Sequence, residues 1–401
     1  MNDLIPPDFQ VPGFLGAGIA AGIKKNQMKD LALLYAEGPA AAAGVFTTNR
    51  VQAAPVLLSR ERLKSGRARA VLINSGCANA CTGKKGIADG RRLSRWIASS
   101  LGIESGSVLL ASTGVIGKPL PMEVMERGIA PLVASLSPNG LGDAARAIMT
   151  TDTVPKGSII RGRVNGREVT LAGMAKGAGM ISPRMATLLV FVLTDAALTP
   201  GALRKALKDG VRGSFNRITV DGDMSTNDTL LVLANGKAEN REVVPATRGF
   251  REFTLLLNDL LLSLANKIAQ DGEGATKVVK IVVERARTLG EAEKVARAVA
   301  NSPLVKTAFF GEDANWGRIL CAAGYSGAPI DPDRTDIYFD DVKMVHRGQG
   351  TGLEKENQAT SVMKKGEYTV RLDLHRGTRS TFLFTTDLSI DYVKINASYR
   401  S

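Results

Sequence analysis

The chain has 401 residues, 44% of them hydrophobic, enough length and apolar content to exclude a disordered or fibrous chain and to suggest two or three lobes, with one large α/β body as the alternative. Lys and Arg number 52 against 39 Asp and Glu, a net charge of +13 that favours anionic partners. The 5% aromatic content argues against an aromatic-lined nucleic-acid platform, while 42 glycines suit a turn-rich α/β enzyme.

Taken in chain order, the opening MNDLIPPDFQ has an acid and two prolines where an export signal would be basic and then apolar, so none is expected. Gly16, Gly18 and Gly22 fall one residue off the dinucleotide fingerprint with no strand before them, and a cofactor reading is set aside. Arg60, Arg62, Lys64, Arg67 and Arg69, interrupted by Glu61, read as a solvated helix end. Ala70 to Asn74 is expected to be a strand, followed by a helix through Arg91, Trp96 and Leu101. Cys77, Cys81 and Cys321 do not make a disulfide scaffold, which sets a reduced cytoplasm as the expected location. With no second ligand pair for zinc, Cys77 and Cys81 are read as packing residues.

The run VLLA before Ser112 predicts a strand ending in a tight turn at Ser112–Gly117. Gly117-Lys118 is followed by proline and lacks the earlier glycine of a phosphate loop. SIIRGRV and REVTLAG flank Asn165-Gly166, the strongest short hairpin signal. Phe253 to Ile268 repeats Leu, Ile and Phe at three- and four-residue steps, predicting a helix with one buried stripe. Ala292, Val295, Ala296 and Val299 predict another, with Thr307–Phe310 read as a strand after it. TDIYFDDVKMV, GEYTVRLDLHRG and STFLFTTDLSIDYVKI alternate with period two, so the last third is expected to be strand-rich. His346 and His375 read as exposed strand residues, and no G-x-S-x-G elbow supports a Ser-His-Asp hydrolase. No 18-residue apolar run predicts a membrane span.

Five polar segments exceed what turns require. They are Ser112–Gly117; Thr150-Thr-Asp-Thr153; Ser214–Asp228; Asp271–Thr276; and Gly311–Arg318. A sixth stretch leads from Lys176 through a glycine-rich turn to Thr187 at a strand entrance. On its own Thr187 is a β-branched strand residue. The backbone N–H groups and hydroxyl at Ser112–Gly117 could hold a developing oxyanion.

The joint presence of KGAGMISPRMATLLVFVLTDA, SFNRITVDGDMSTNDT, DGEGATK, ASTGVIG and the ending KINASYRS resembles the ornithine acetyltransferase family of arginine biosynthesis, across essentially the whole chain. The resemblance implies an α/β protein of two lobes with layered sheets and helices, similar to the self-processing aminopeptidases. It implies that the chain cuts itself between Ala186 and Thr187 into an α chain, 1–186, and a β chain, 187–401, assembled as two of each. Thr187 would then be the nucleophile, Thr113 and Gly114 the oxyanion hole, and Thr153, Lys176, Thr187, Glu273, Asn396 and Ser401 the substrate contacts. The implied reaction moves acetyl from N-acetylornithine to glutamate through acetyl-Thr187, with acetyl-CoA as a possible second donor and no metal, nucleotide or redox cofactor. Neither nucleic acid nor membrane is expected as a partner. Ala314 departs from the proline common before Asn-Trp-Gly-Arg, and Ser401 stands where threonine is also used.

Chemistry makes the assignment coherent. A threonine hydroxyl is a poor nucleophile at neutral pH, but an N-terminal threonine can use its own α-amine, whose ordinary pKa is about 7.7–8.0, as base. Cleavage therefore makes the base for later turnovers, while the sequence names none for the first cut. Lys176 suits a substrate carboxylate, and Glu273 the ornithine amine or a proton transfer. Asn396 and Ser401 need the tail to fold back. Two other readings stay open here: a self-processing aminopeptidase that transfers to water, and a basic nucleic-acid-binding protein.

Overall fold

The computed structural model describes residues 4–25, 27–182 and 188–398. Ala186, Thr187 and Ser401 lie outside them. The chain forms two compact units, the first of residues 1–216 and 223–268 and the second of 217–222 and 269–401. The first unit therefore takes in sequence on both sides of position 187.

The strands of the first unit are β1 (Phe14–Ile19), β2 (Leu31–Phe46), β3 (Arg67–Cys77), β4 (Val108–Val115), β5 (Lys156–Val164), β6 (Arg167–Lys176), β7 (Leu189–Thr194) and β8 (Thr229–Ala234). Its helices are α1 (Ala54–Arg62), α2 (Gly83–Leu101), α3 (Met122–Ala134), α4 (Leu141–Ala147), α5 (Pro200–Gly213) and α6 (Arg248–Gln270). Among the described residues the strands form one eight-stranded sheet in the order β4-β3-β2-β8-β7-β6-β5, with β1 beside β2. The pairs β3–β4 and β7–β8 are parallel.

Both faces of this sheet are covered, which is why its strands read as nearly continuous apolar runs. Successive side chains of a strand point to opposite faces. Ala32, Leu34, Val71 and Ile73 pack with Leu141, Ala144 and Ala145 of α4. Their alternates Leu31, Leu33, Ala70 and Leu72 pack with Leu93 and Ile97 of α2 and Met125, Ile129 and Leu132 of α3. Gly18 lies inside β1, where a Cβ would come within 2.1 Å of the Asp143 carbonyl oxygen. Close helix-on-strand packing, not a nucleotide, accounts for that glycine. The hairpin pairs Val164 with Arg167 across Asn165 at φ 50° and Gly166 at φ 83°, the two positive angles that its tight turn demands.

The second unit contains β9 (Val278–Ala286), α7 (Leu289–Ala300), α8 (Pro303–Phe310), α9 (Trp316–Gly324), β10 (Asp336–Phe339), β11 (Val342–His346), β12 (Gln349–Gly350), α10 (Leu353–Met363), β13 (Glu367–Asp373), β14 (Arg379–Thr386) and α11 (Ile390–Ser398). Its sheet runs β12-β11-β10-β13-β9-β14 among the described residues, with β9 and β13 parallel. Val279, Ile281 and Val283 of β9 face Val295, Val299 and Phe309 in one core.

Several expectations are corrected. Residues 303–310 are helix, not strand: Pro303 opens the first turn and the Ser302 hydroxyl caps it by accepting the Val305 N–H at 3.4 Å. Residues 390–398 are also helix, because the Ser389 hydroxyl accepts the Tyr392 N–H at 3.3 Å and overrides the alternating pattern. Cys77 is buried as expected, but Cys81 is exposed and so is no packing residue. The basic stretch does end a helix, yet Arg62 reaches Ser94 Oγ at 2.7 Å and is not simply solvated. His346 is exposed on β11 as expected, but His375 lies beyond the end of β13 and is half-buried; the two converge on one carboxylate, Asp336, at 3.4 and 3.2 Å. No described helix is long and apolar enough to cross a membrane.

Candidate active site

Strand β4 runs through Val115, so Thr113 and Gly114 lie within the strand instead of in a turn beyond Ser112. Parallel pairing sets Ser75 opposite Thr113 and Gly76 opposite Gly114, and the register breaks immediately after, at Cys77. Gly114 sits at φ 127°, and a Cβ there would come within 2.3 Å of the Gly76 carbonyl carbon. Only glycine fits, so at position 114 no side chain covers the backbone. Ser112 is fixed from below, its hydroxyl donating to Asn74 Oδ1 at 2.6 Å.

The end of β6 meets this point. Lys176, its last residue, is 3% exposed, and its ammonium donates to Thr150 Oγ1 at 2.6 Å and to Thr113 Oγ1 at 3.4 Å. A buried cation needs a counter-charge. Asp152 supplies it, with one carboxylate oxygen 3.9 Å from Lys176 Nζ and the other 2.6 Å from the fully buried Lys156 Nζ. The same carboxylate accepts the Thr150 N–H at 3.0 Å and the Gly177 N–H at 2.7 Å. Burial alone would raise its pKa, but the charges of Lys156 and Lys176 and these hydrogen bonds outweigh it and hold Asp152 below the usual carboxylate range.

A third cation stands close by. Lys24 donates to the Met149 and Lys29 carbonyls at 2.7 and 3.0 Å, in a loop pinned by four backbone N–H groups on Asp30. Burial, helped by the charge of Lys176, pushes the Lys24 ammonium down to about 8 against the pull of Asp30. Behind Thr113, Asn227 donates from Nδ2 to the Ser112 carbonyl at 2.8 Å and the Ala78 carbonyl at 2.6 Å. Its neighbour Asp228 accepts the Leu188 N–H at 3.0 Å.

Of the expected site residues, the first unit thus brings Thr113, Gly114 and Lys176 together, with Thr153 exposed in the Thr150–Thr153 segment beside them. In the second unit Glu273 and Asn396 meet, the Asn396 amide donating to Glu273 Oε2 at 2.9 Å. Helix α11 is the element that folds the tail back to that glycine-flanked turn, and the Ser389 hydroxyl anchors it on the Gly274 carbonyl at 2.6 Å. Sequence reasoning missed Lys24, Asp152, Lys156 and Asp228 as individuals. Asp152 and Asp228 were visible only as members of polar segments. Among the described residues no group of three or more His, Cys, Asp or Glu could hold a metal ion.

The ends of β4 and β6 in this layered α/β sheet gather a hydroxyl, a glycine backbone and a buried lysine, groups that can stabilise a developing anion as group-transfer enzymes require. The ArgJ family model matches residues 16–401. The arginine biosynthesis bifunctional protein ArgJ of Geobacter sulfurreducens is 53% identical over 98% of this chain and 100% of its own length. That of Symbiobacterium thermophilum is 51% identical over 97% of each. A crystal structure of the Bacillus halodurans protein of the same name shares 41% identity and a TM-score of 0.50, covering 52% of this chain and 98% of that one. The chain belongs to the ArgJ family of arginine-biosynthesis enzymes.

Proposed function

We propose that this chain is a self-cleaving acetyltransferase that moves acetyl from N-acetylornithine to glutamate. The carrying observation is the meeting of Thr113, Gly114 and Lys176 at the ends of β4 and β6, in a chain whose β7 begins two residues after Thr187. Thr187 attacks the acetyl carbonyl, its own α-amine takes the proton, and the Thr113/Gly114 strand end holds the oxyanion. Ornithine leaves, and glutamate collects the acetyl group in the second half of a ping-pong cycle. Lys176 takes a substrate carboxylate, while Thr153, Glu273, Asn396 and Ser401 complete the substrate contacts. No metal, nucleotide or redox cofactor takes part.

Support for the cut between Ala186 and Thr187 comes from chain length. The solved Bacillus halodurans chain matches over almost all of itself yet spans 52% of this one, close to the share that begins at Thr187. The α and β chains then stay together as two of each in the cytoplasm. The word bifunctional in the relatives' names supports a second reaction, the acetylation of glutamate from acetyl-CoA.

Intact-mass analysis tests the reading first. The 42.5 kDa chain should appear as fragments of roughly 20 and 23 kDa, and Thr187→Ala should stay whole. Labelled N-acetylornithine should then mark the N-terminal residue of the larger, β fragment, Thr187, and glutamate should discharge it. Label on another side chain, or peptide hydrolysis in place of transfer to glutamate, would refute the assignment.

A further inference from the structure

The polar segment Ser214–Asp228 supplies no substrate contact, yet one of its residues, Asn227, is built into the end of β4. That strand is the last of its sheet and pairs with β3 alone among the described residues, and the register of the pair breaks at Cys77. A strand end held from one side has few bonds to fix its last peptide planes.

Asn227 supplies the second hold. Its side chain is 5% exposed, and the amide nitrogen donates to the Ser112 carbonyl at 2.8 Å and the Ala78 carbonyl at 2.6 Å. The amide oxygen accepts the Thr226 hydroxyl at 2.6 Å. Carbonyls can only accept, so this orientation of the amide is the one its partners permit. The backbone of Asn227 is fixed as well: its N–H donates to Ser225 Oγ at 3.0 Å, and its carbonyl accepts the Thr229 hydroxyl at 2.9 Å, at the start of β8. Asn74 grips Ser112 too, accepting its hydroxyl at 2.6 Å while donating to the Cys77 carbonyl at 2.8 Å.

The Ser112 carbonyl belongs to the planar peptide unit that joins Ser112 to Thr113. Fixing that oxygen fixes the plane, and with it the direction in which the chain enters Thr113 and Gly114. We propose that Asn227 is a positioning residue for acetyl transfer, its amide setting the Ser112–Thr113 peptide so that Thr113 and Gly114 meet the charge developing on the acetyl oxygen. This rests on the oxyanion role given to those two residues under the proposed function. Donors stabilise a transition state only at hydrogen-bond distance from the developing charge, so a small displacement of the strand end is felt in the rate. Asn227 is buried behind the strand and acts only through Thr113 and Gly114.

The test compares the full-length parent with Asn227→Asp, Asn240→Asp, Thr113→Ala and the Thr113→Ala/Asn227→Asp double variant. Asn240 is the matched control, beyond the other end of β8. It too is 5% exposed and donates to two carbonyls, those of Ala197 at 3.2 Å and Arg241 at 2.9 Å. Intact mass, melting temperature and transfer from N-acetylornithine to glutamate per cut molecule are measured for each. Asn227→Asp should lower kcat about 10- to 100-fold, with the KM for N-acetylornithine within about twofold of the parent's. Asn240→Asp should lose as much melting temperature and keep the parent's kcat. The double variant should lose less than the product of the two single losses, because both substitutions act on one site. Where Asn227→Asp does not fold, Asn227→Ser, which keeps one donor, is judged by the same kcat and KM. Parental kcat in Asn227→Asp beside a slowed Thr113→Ala overturns this assignment alone. So does an equal loss of kcat in Asn240→Asp, which marks a purely structural effect, or a double variant at the full product. An Asn227→Asp chain that folds but stays whole also overturns it, since the amide then serves the cut and not the transfer. Parental kcat in Thr113→Ala overturns the oxyanion reading and this assignment with it.

Discussion

Lys176 of the first unit and Lys306 of the second are equally hidden, 3% exposed each, and their surroundings differ in kind. Lys176 faces the buried carboxylate of Asp152, shared with Lys156, besides two threonine hydroxyls. Lys306 is met by neutral oxygens, the Thr385 and Thr386 hydroxyls at 3.2 Å and the Thr386 carbonyl, with Asp387 and Asp221 acting only through their charge. Burial therefore pushes Lys306 down to about 7. Desolvation is common to both; what differs is whether a buried carboxylate comes within ion-pair distance, as Asp152 does of Lys176 at 3.9 Å, whereas the buried Asp387 accepts from Thr276 and Lys277 instead. The first unit sets Lys176 beside Asp152 and Thr113 at the end of β4, and the second uses Lys306 to tie β14 to α8.

The largest expected effect breaks the first half of that contrast. Asp152→Asn leaves Lys156 and Lys176 without their shared counter-charge and should cost about 3–5 kcal/mol in urea unfolding of the chain. Thr113→Ala leaves the ion pairs in place and should lower kcat by roughly 10²- to 10³-fold, about 2.7–4 kcal/mol, with an unchanged melting temperature. Unaltered turnover would remove Thr113 from the proposed oxyanion site.

The second half is sharpened by pH. Because the folded pKa of Lys306 lies below its unfolded value near 10.5, the unfolded chain binds the extra proton between those values, and stability should rise from about pH 7 to 10. Urea midpoints compared between the parent and Lys306→Met should show that rise in the parent and a smaller one in the variant. Asp152 acts in the same direction in the acid range: its depressed pKa adds stability that is present above about pH 4 and lost as pH falls below it. The smallest effect lies away from both lysines. Gly166→Ala, at φ 83°, should cost about 1 kcal/mol and leave transfer untouched.

Much of the fold could be read from local pattern. The stripe from Phe253 to Ile268 lies within α6, and Asn165-Gly166 turns the β5–β6 hairpin, because both signals depend on residues within a few positions. Period two misled at 390–398, where a serine cap sets a helix on which Ile390 and Val393 are exposed. The run before Phe310 misled for a similar reason, a proline and a serine cap deciding the first turn. In the site, Thr113, Gly114 and Lys176 were legible through their motifs. Asp152 in Thr-Asp-Thr and Asp228 in Asn-Asp-Thr look like turn residues until their backbone partners, Gly177 and Leu188, are known.

By itself the sequence determined elements such as α6 and the β5–β6 hairpin, and carried the motif set of the ArgJ family, since both are written in neighbouring residues. Only the tertiary structure decided which groups share a buried volume. Thr113, Asp152, Lys176 and Asp228 come from four separate stretches, and pairing between distant strands closes them in. The protonation of Asp152 and Asp228 follows from that enclosure, because the cost of a charge depends on the water excluded and the partner supplied, neither of which is encoded at any one position.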